Sequence, residues 1–181
     1  KNKKEKLVLS FALSTAETPE LKEAASLIKQ DFEKMGARVE LKVFELGDLN
    51  QNVIRPREYE ALFFGEVLGR QPDLFSFWHS SQRLDPGLNI ALYTNLAVDK
   101  IIEQLRRATS AQSQDHKLHQ DFSEAVLKDV PAVFVYSPSF IYALPAKVLN
   151  VSLPPINTPS DRFLNIHQWY INTEKVWKIF S

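Results

Sequence analysis

An α/β fold, with a mixed but mostly parallel sheet flanked by helices, follows from three features of this chain. Apolar runs of strand length alternate with amphipathic helical stretches from Leu7 onward. The first strand, helix and strand are close enough in sequence to form a βαβ unit, which normally pairs its strands in parallel through a right-handed crossover. A hydrophobic content of 44%, with 11% aromatics in 181 residues, is enough for a folded core.

Each element has its own signal. Leu7–Leu13 is a mostly apolar run with polar flanks, as expected of a buried strand. Thr18 is a good helix cap and Pro19 suits the first helical position. Leu21, Ala24, Ala25, Ile28, Phe32 and Met35 then form one apolar stripe, which Gly36 ends. Val39, Leu41 and Val43 alternate with Arg38, Glu40 and Lys42, giving a strand with one wet face. A short helix is predicted over Leu49–Arg55 and a third strand over Tyr59–Phe64. Asn95 caps a helix striped by Val98, Ile101, Ile102, Leu105 and Ala108. The next helix, Gln112–Lys128, carries Leu118, Phe122, Ala125 and Val126. Pro131–Tyr136 reads as a further strand, with its proline where no ladder donor is lost. Beyond Tyr142, Pro145, Pro154, Pro155 and Pro159 punctuate a stretch without helical period, expected to be loop or edge structure.

Composition removes whole classes of function. The 22 Lys and Arg balance the 22 Asp and Glu, so nothing marks a nucleic-acid or anionic-membrane partner. Without cysteine there is no disulfide framework, thiol catalysis or cysteine-ligated metal. No apolar run approaches the ~20 residues that span a bilayer. The chain begins at Lys1, in what reads as the approach to a strand, and is expected to be a processed or truncated piece of something longer. No cofactor is expected.

The stretch from Tyr59 to Asp99 concentrates the candidate chemistry. An apolar run stops at Gly65, and a loop with Glu66, Gly69 and Arg70 follows. Pro72-Asp73 then opens an aromatic segment that ends in Trp78-His79-Ser80-Ser81. Acid, amide, glycine and aromatic side chains just past a strand end are the makings of a ligand mouth. Glu66 would meet a ligand's positive end, Trp78 would supply a flat wall, and His79 or Ser80 would add hydrogen bonds. Core packing of Phe75, Phe77 and Trp78, with Asp73 capping a helical turn, is the structural alternative. Asn89 and Tyr93 carry two readings as well: they brace the loop that holds Trp78, or they face the ligand. Asn95 and Asp99 have adequate roles as a cap and a first-turn acid.

Two enzymatic patterns compete with these. His79, Ser80, Ser81 and Asp85 suggest a small α/β hydrolase, but neither serine sits in a Gly-x-Ser-x-Gly elbow. His116 and His119 share a helix face, but that face is otherwise polar, and no metal site is expected there.

The order of Gly36-Ala37-x-Val39, Tyr59-Glu60-Ala61, Pro72-Asp73-x-Phe75, Asn89, Tyr93-x-Asn95, Asp99, Asp129-x-Pro131 and Tyr136 resembles the C-terminal portion of the family 5 extracellular solute-binding proteins. Arg162-Phe163-x-Asn165-x-x-x-Trp169-Tyr170 is similar to how some members end. The resemblance implies a periplasmic-binding-protein type II lobe over residues 1–145, with residues 146–181 packing toward the other lobe. It further implies an extracytoplasmic receptor, not an enzyme, that closes on a peptide or other small solute and delivers it to a membrane ABC permease. Its partner would be the missing N-terminal lobe of the same protein. Substrate contacts are expected from Gly65, Glu66, Trp78, His79, Asn89 and Tyr93. In peptide-binding members an acid near the loop before Pro-Asp receives the ligand's amino terminus. Here the matching position is Leu68 and the nearest acid is Glu66, which also replaces a common aromatic.

Overall fold

A computed structural model describes residues 8–68, 73–107, 112–154, 156 and 158–172. Leu7, Gly69, Arg70, Pro72, Ala108 and Pro155, which figure in the expectations above, lie outside the described residues. The chain divides into two compact units, one drawn from residues 1–65 and 73–133, the other from 66–72 and 134–181.

The first unit begins with the βαβ arrangement read from the sequence. β1 (Ser10–Ala16), α1 (Pro19–Lys34) and β2 (Arg38–Phe44) follow in order, and β3 (Ala61–Phe63) completes a parallel sheet of order β2-β1-β3. Leu13 of β1 stands opposite Leu41 on one side and Ala61 on the other. β1 starts later than the Leu7–Leu13 run suggests, because register with β2 carries pairing through Ala16 while Val8 and Leu9 remain exposed.

α1 starts at Pro19 as expected, but Thr18 contributes its carbonyl to Lys22 N–H (2.9 Å) and makes no side-chain cap. The other end is a Schellman turn. Gly36 has φ +92°, its N–H bonds Glu33 O, and Ala37 N–H reaches back to Phe32 O. Met35, counted in the apolar stripe, is instead 75% exposed, because it sits where the helix unwinds. Ala25, Ile28 and Phe32 of the stripe pack on one sheet face with Leu13 and Val39, while Leu21 reaches the cluster of Ala16 and Leu49.

One end of the opposite sheet face, around Ala16, Phe44 and Leu62, is covered by a wide helix. A single turn, α2 (Leu46–Asp48), runs into a π-helix, Leu49–Ile54, whose i+5 pattern shows in Arg55 N–H to Asn50 O. Leu49, Val53 and Ile54 bury against Ala16, Phe44 and Leu62.

A helical layer completes this unit. α3 (Leu74–Trp78), α4 (Leu96–Arg107) and α5 (Gln112–Asp129) enclose a core of Tyr93, Val98, Ile102, Phe122 and Val126. Val98, Ile101 and Ile102 of α4 and Phe122, Ala125 and Val126 of α5, all among the predicted periodic positions, meet there.

Pro131–Tyr136 is not a strand. Residues 133–145 have no regular structure, and Val133, Phe134, Val135 and Tyr136 are 51–78% exposed. A strand needs a neighbouring strand, and neither sheet of the described residues, β1 to β3 or the later antiparallel pair, includes this run. The second unit contains a two-stranded antiparallel pair, β4 (Val148–Leu149) and β5 (Tyr170–Ile171), and short 3₁₀ turns between them. This matches the proline-punctuated texture of that stretch.

Candidate functional site

The segment after β3 is organised by its own polar side chains. Asp73 accepts from Phe75 N–H (3.2 Å) and Ser76 Oγ (2.8 Å), so it starts α3 in the capping role expected of it. α3 points Trp78 into the helical core, edge-on to Tyr93 (6.2 Å between centroids) and Phe122 (6.1 Å). Trp78 is thus placed by packing.

His79 follows at the helix end, stacked on Phe75 at 4.2 Å. Its Nδ1 accepts Ser81 N–H (3.1 Å) and lies 2.9 Å from Ser81 Oγ. With Nδ1 an acceptor, the neutral ring carries its proton on Nε2. That nitrogen is buried, 3.6 Å from a Glu103 oxygen and 4.0 Å from an Asp99 oxygen, too far for a good hydrogen bond. Asp99 is itself buried and accepts from Ser80 N–H (2.9 Å) and Ser80 Oγ (2.6 Å). It therefore ties the turn after α3 to the first turn of α4.

Asn89 is wholly buried and braces the loop. Its amide donates toward the carbonyls of Trp78 (3.3 Å), His79 (3.2 Å) and Tyr93 (3.0 Å), and its oxygen takes Tyr93 N–H (3.1 Å). Tyr93 extends this frame to α5, donating its hydroxyl to Asp129 Oδ2 at 2.6 Å. Asn95 caps α4 through Ala97 N–H (2.9 Å) and also donates to Asp129 (2.7 Å). Burial, reinforced by the bond to Asp129, pushes the Tyr93 phenol up to about 12. The Tyr93 and Asn95 donors hold the Asp129 carboxyl below its ordinary value.

Comparison with known proteins places this architecture. No protein-family model and no curated protein sequence matches the chain. Solved structures do. The oligopeptide-binding protein AppA from Bacillus subtilis, in complex with a nonapeptide, superposes with a TM-score of 0.72 at 24% identity, over 91% of this chain and 32% of its own. The ABC transporter-associated periplasmic binding protein DppA from Helicobacter pylori, in complex with the peptide STSA, gives 0.65 at 19% identity, over 92% and 32%. NikZ from Campylobacter jejuni, in complex with Ni(L-His), gives 0.58 at 19% identity, over 71% and 26%. The fold is a periplasmic-binding-protein type II lobe. The chain spans about a third of the length of the first two of these proteins.

Within this lobe the residues singled out from the sequence separate by role. Trp78, His79, Asn89 and Tyr93 come together around α3 and α4. Gly65 lies two residues past the end of β3, exposed and with open space where a Cβ would stand, so no close backbone approach demands a glycine there. Glu66 is exposed and belongs to the second unit. Ser80 faces Asp99, Asp85 pairs with Arg55 (3.6 Å), and only Ser81 is within reach of His79. His116 and His119 are both exposed, and among the described residues no group of three His, Asp or Glu is placed to hold a metal ion.

Other polar anchors escaped the sequence reading. Glu60 accepts the N–H of Ala12 (2.6 Å), and Arg57 donates to the carbonyls of Arg83 (2.8 Å) and Gly87 (2.6 Å). Both border a polar concavity of about 790 Å³ on the sheet face of Ser14, Glu40 and Lys42. The local signals were the wet side of β2 and the place of Glu60 in Tyr59-Glu60-Ala61.

Proposed function

We propose that this chain is part of the substrate-binding component of an ABC importer, an extracytoplasmic receptor that takes peptides or a similar small solute. The match to AppA over 91% of the chain carries this reading. It is supported by the strand-end position of Gly65, since ligands of open α/β sheets bind beyond the carboxyl ends of the strands. A single lobe offers one wall, and closure of a second lobe onto it would bury the solute. In this reading residues 146–181 pack toward that second lobe, and a membrane permease receives the solute. Glu66 remains the candidate partner for a ligand ammonium and His79 for a polar contact. Asn89, Tyr93 and Trp78 hold the turn that presents His79. Among the described residues no helix is long and apolar enough to cross a membrane.

Calorimetric titration with a mixture of short peptides tests the half-site. The chain by itself should bind weakly or not at all, and affinity should appear once it is joined to the complementary lobe. Tight binding by this chain alone would sink the idea.

The hydrolase reading retains one favourable observation, the 2.9 Å approach of Ser81 Oγ to His79 Nδ1. The same lone pair already accepts Ser81 N–H at 3.1 Å, which makes the ring a turn cap more than a base. Ester turnover abolished by His79→Ala would reverse that judgement.

A further inference from the structure

One face of the parallel sheet carries charges that nothing in the first unit answers. Ala12 and Ser14 of β1 stand opposite Glu40 and Lys42 of β2, and Glu60, one residue before β3, accepts the N–H of Ala12 (2.6 Å). All five line the same concavity of about 790 Å³, together with the apolar Phe44 and Val53. Glu40, Lys42 and Glu60 are exposed, so their charged ends are within reach of a solute. Among the described residues neither Glu40 nor Lys42 forms an ion pair, and Glu60 commits only one of its two oxygens.

Ser14 is what marks this wall as more than a solvated face. It is only 3% exposed and lines the concavity, yet its hydroxyl has no hydrogen-bond partner among the described residues and is not sealed from solvent. Buried hydroxyls are normally answered. Arg57 is spent on the carbonyls of Ile54, Arg83 and Gly87, so the free charges on the wall are Glu40, Glu58 and Glu60 against Lys42. That excess of acceptors selects an ammonium, which brings three donors. Glu40, Glu60 and the Ser14 hydroxyl offer three acceptors around Ala12, whose small side chain leaves room between them. Lys42 lies two residues, or about 6.6 Å, further along β2, and calls for an anion on the same ligand. Phe44 follows at the same interval and offers an apolar contact.

We propose that this concavity binds a small zwitterion, a free amino acid with an apolar side chain. Glu40, Glu60 and Ser14 take its ammonium, Lys42 takes its carboxylate, and the side chain lies against Phe44 and Val53. The site shares no residue with the candidate solute site at Gly65, Glu66 and His79, lies within the first unit, and stands whether or not the importer reading holds.

The test is a titration of the ¹⁵N-labelled chain with L-leucine, following the backbone amides of Ala12, Ser14 and Lys42. These signals should shift together and saturate. N-acetyl-leucine, lacking the ammonium, and leucinamide, lacking the carboxylate, should each bind at least about tenfold more weakly. Glu40→Gln should cost about tenfold, and Ser14→Ala about fivefold. Lys42→Gln should bring leucine down to the affinity of leucinamide, a loss of discrimination that a merely structural lysine would not produce. Unmoved signals, equal affinities for leucine and its two neutralised analogues, or discrimination that survives Lys42→Gln would overturn the proposal. So would leucine binding that falls with Glu66→Gln and not with Glu40→Gln, since the ligand would then sit at the strand ends. The three ligands are compared on the unaltered chain, so the outcome does not depend on any variant folding.

Discussion

Residues 73–99 and residues 133–142 are both rich in aromatic and aliphatic side chains, yet the structure treats them in opposite ways. In the first segment a polar residue, Asn89, is completely buried. In the second, Val133 is 78% exposed and Ile141 90%. Hydropathy alone would reverse that order. What separates them is whether each group finds its partner. Asn89 has its donors and its acceptor answered by the backbone of Trp78, His79 and Tyr93. The apolar run at 133–136 needs a neighbouring strand, and neither sheet of the described residues includes it. A satisfied amide can go inside at little net cost, whereas a strand cannot form from one side alone.

The sharpest way to break this comparison is Asn89→Ala. It strips partners from three carbonyls and one N–H at a fully buried site. We expect a loss of about 3–4 kcal/mol in chemical denaturation, the range for disrupting a buried hydrogen-bond network. A loss under about 1 kcal/mol would show that the amide is not what holds residues 78–93 together.

Tyr93→Phe is next in size, at about 1 kcal/mol near neutral pH for one lost hydroxyl bond. Its pH profile is more telling. The Tyr93 phenol is raised in the folded state to about 12 from 10.0, so its stabilising share is complete below pH 10 and lost as pH climbs toward 12. The Asp129 carboxyl is lowered by the same bond, so its share is present above the ordinary carboxylate range and lost as pH falls through the lowered value. Phenylalanine should flatten the alkaline limb and weaken the acid one. Unchanged limbs in denaturation curves across pH would mean that the Tyr93–Asp129 bond does not form in solution.

How much of this was legible follows the same division between local and distant partners. The turn at Gly36, the cap at Asn95, the start at Asp73 and the stripes of α4 and α5 all depend on residues within one or two turns, and the sequence carries them. Asn89 was readable only as two alternatives, because its partners depend on how residues 78–93 fold back. The fourth strand failed because a β-strand is completed by something elsewhere in the chain or beyond it. The π-helix at Leu49–Ile54 passed for an ordinary short helix, since six residues are too few to separate an α-helical period from a wider one. Arg162 attracted notice only within a similarity at the chain's end. Its guanidinium lies over the rings of Phe140 and Tyr142, some twenty residues upstream in sequence.

The smallest expected effect tests the other half of the comparison. Ile141 is 90% exposed, so Ile141→Thr removes little buried apolar surface and should change stability by no more than about 0.5 kcal/mol. Val133→Thr, at 78% exposure, should behave alike. If the importer reading is right, the same substitutions should matter more once the complementary lobe is present, because an exposed strand-forming run is a natural edge for a second polypeptide. Equal small losses in both settings, measured by denaturation, would leave the run a solvated loop. A loss above about 1.5 kcal/mol in this chain alone would mean that residues 133–142 are packed after all, and the contrast with Asn89 would disappear.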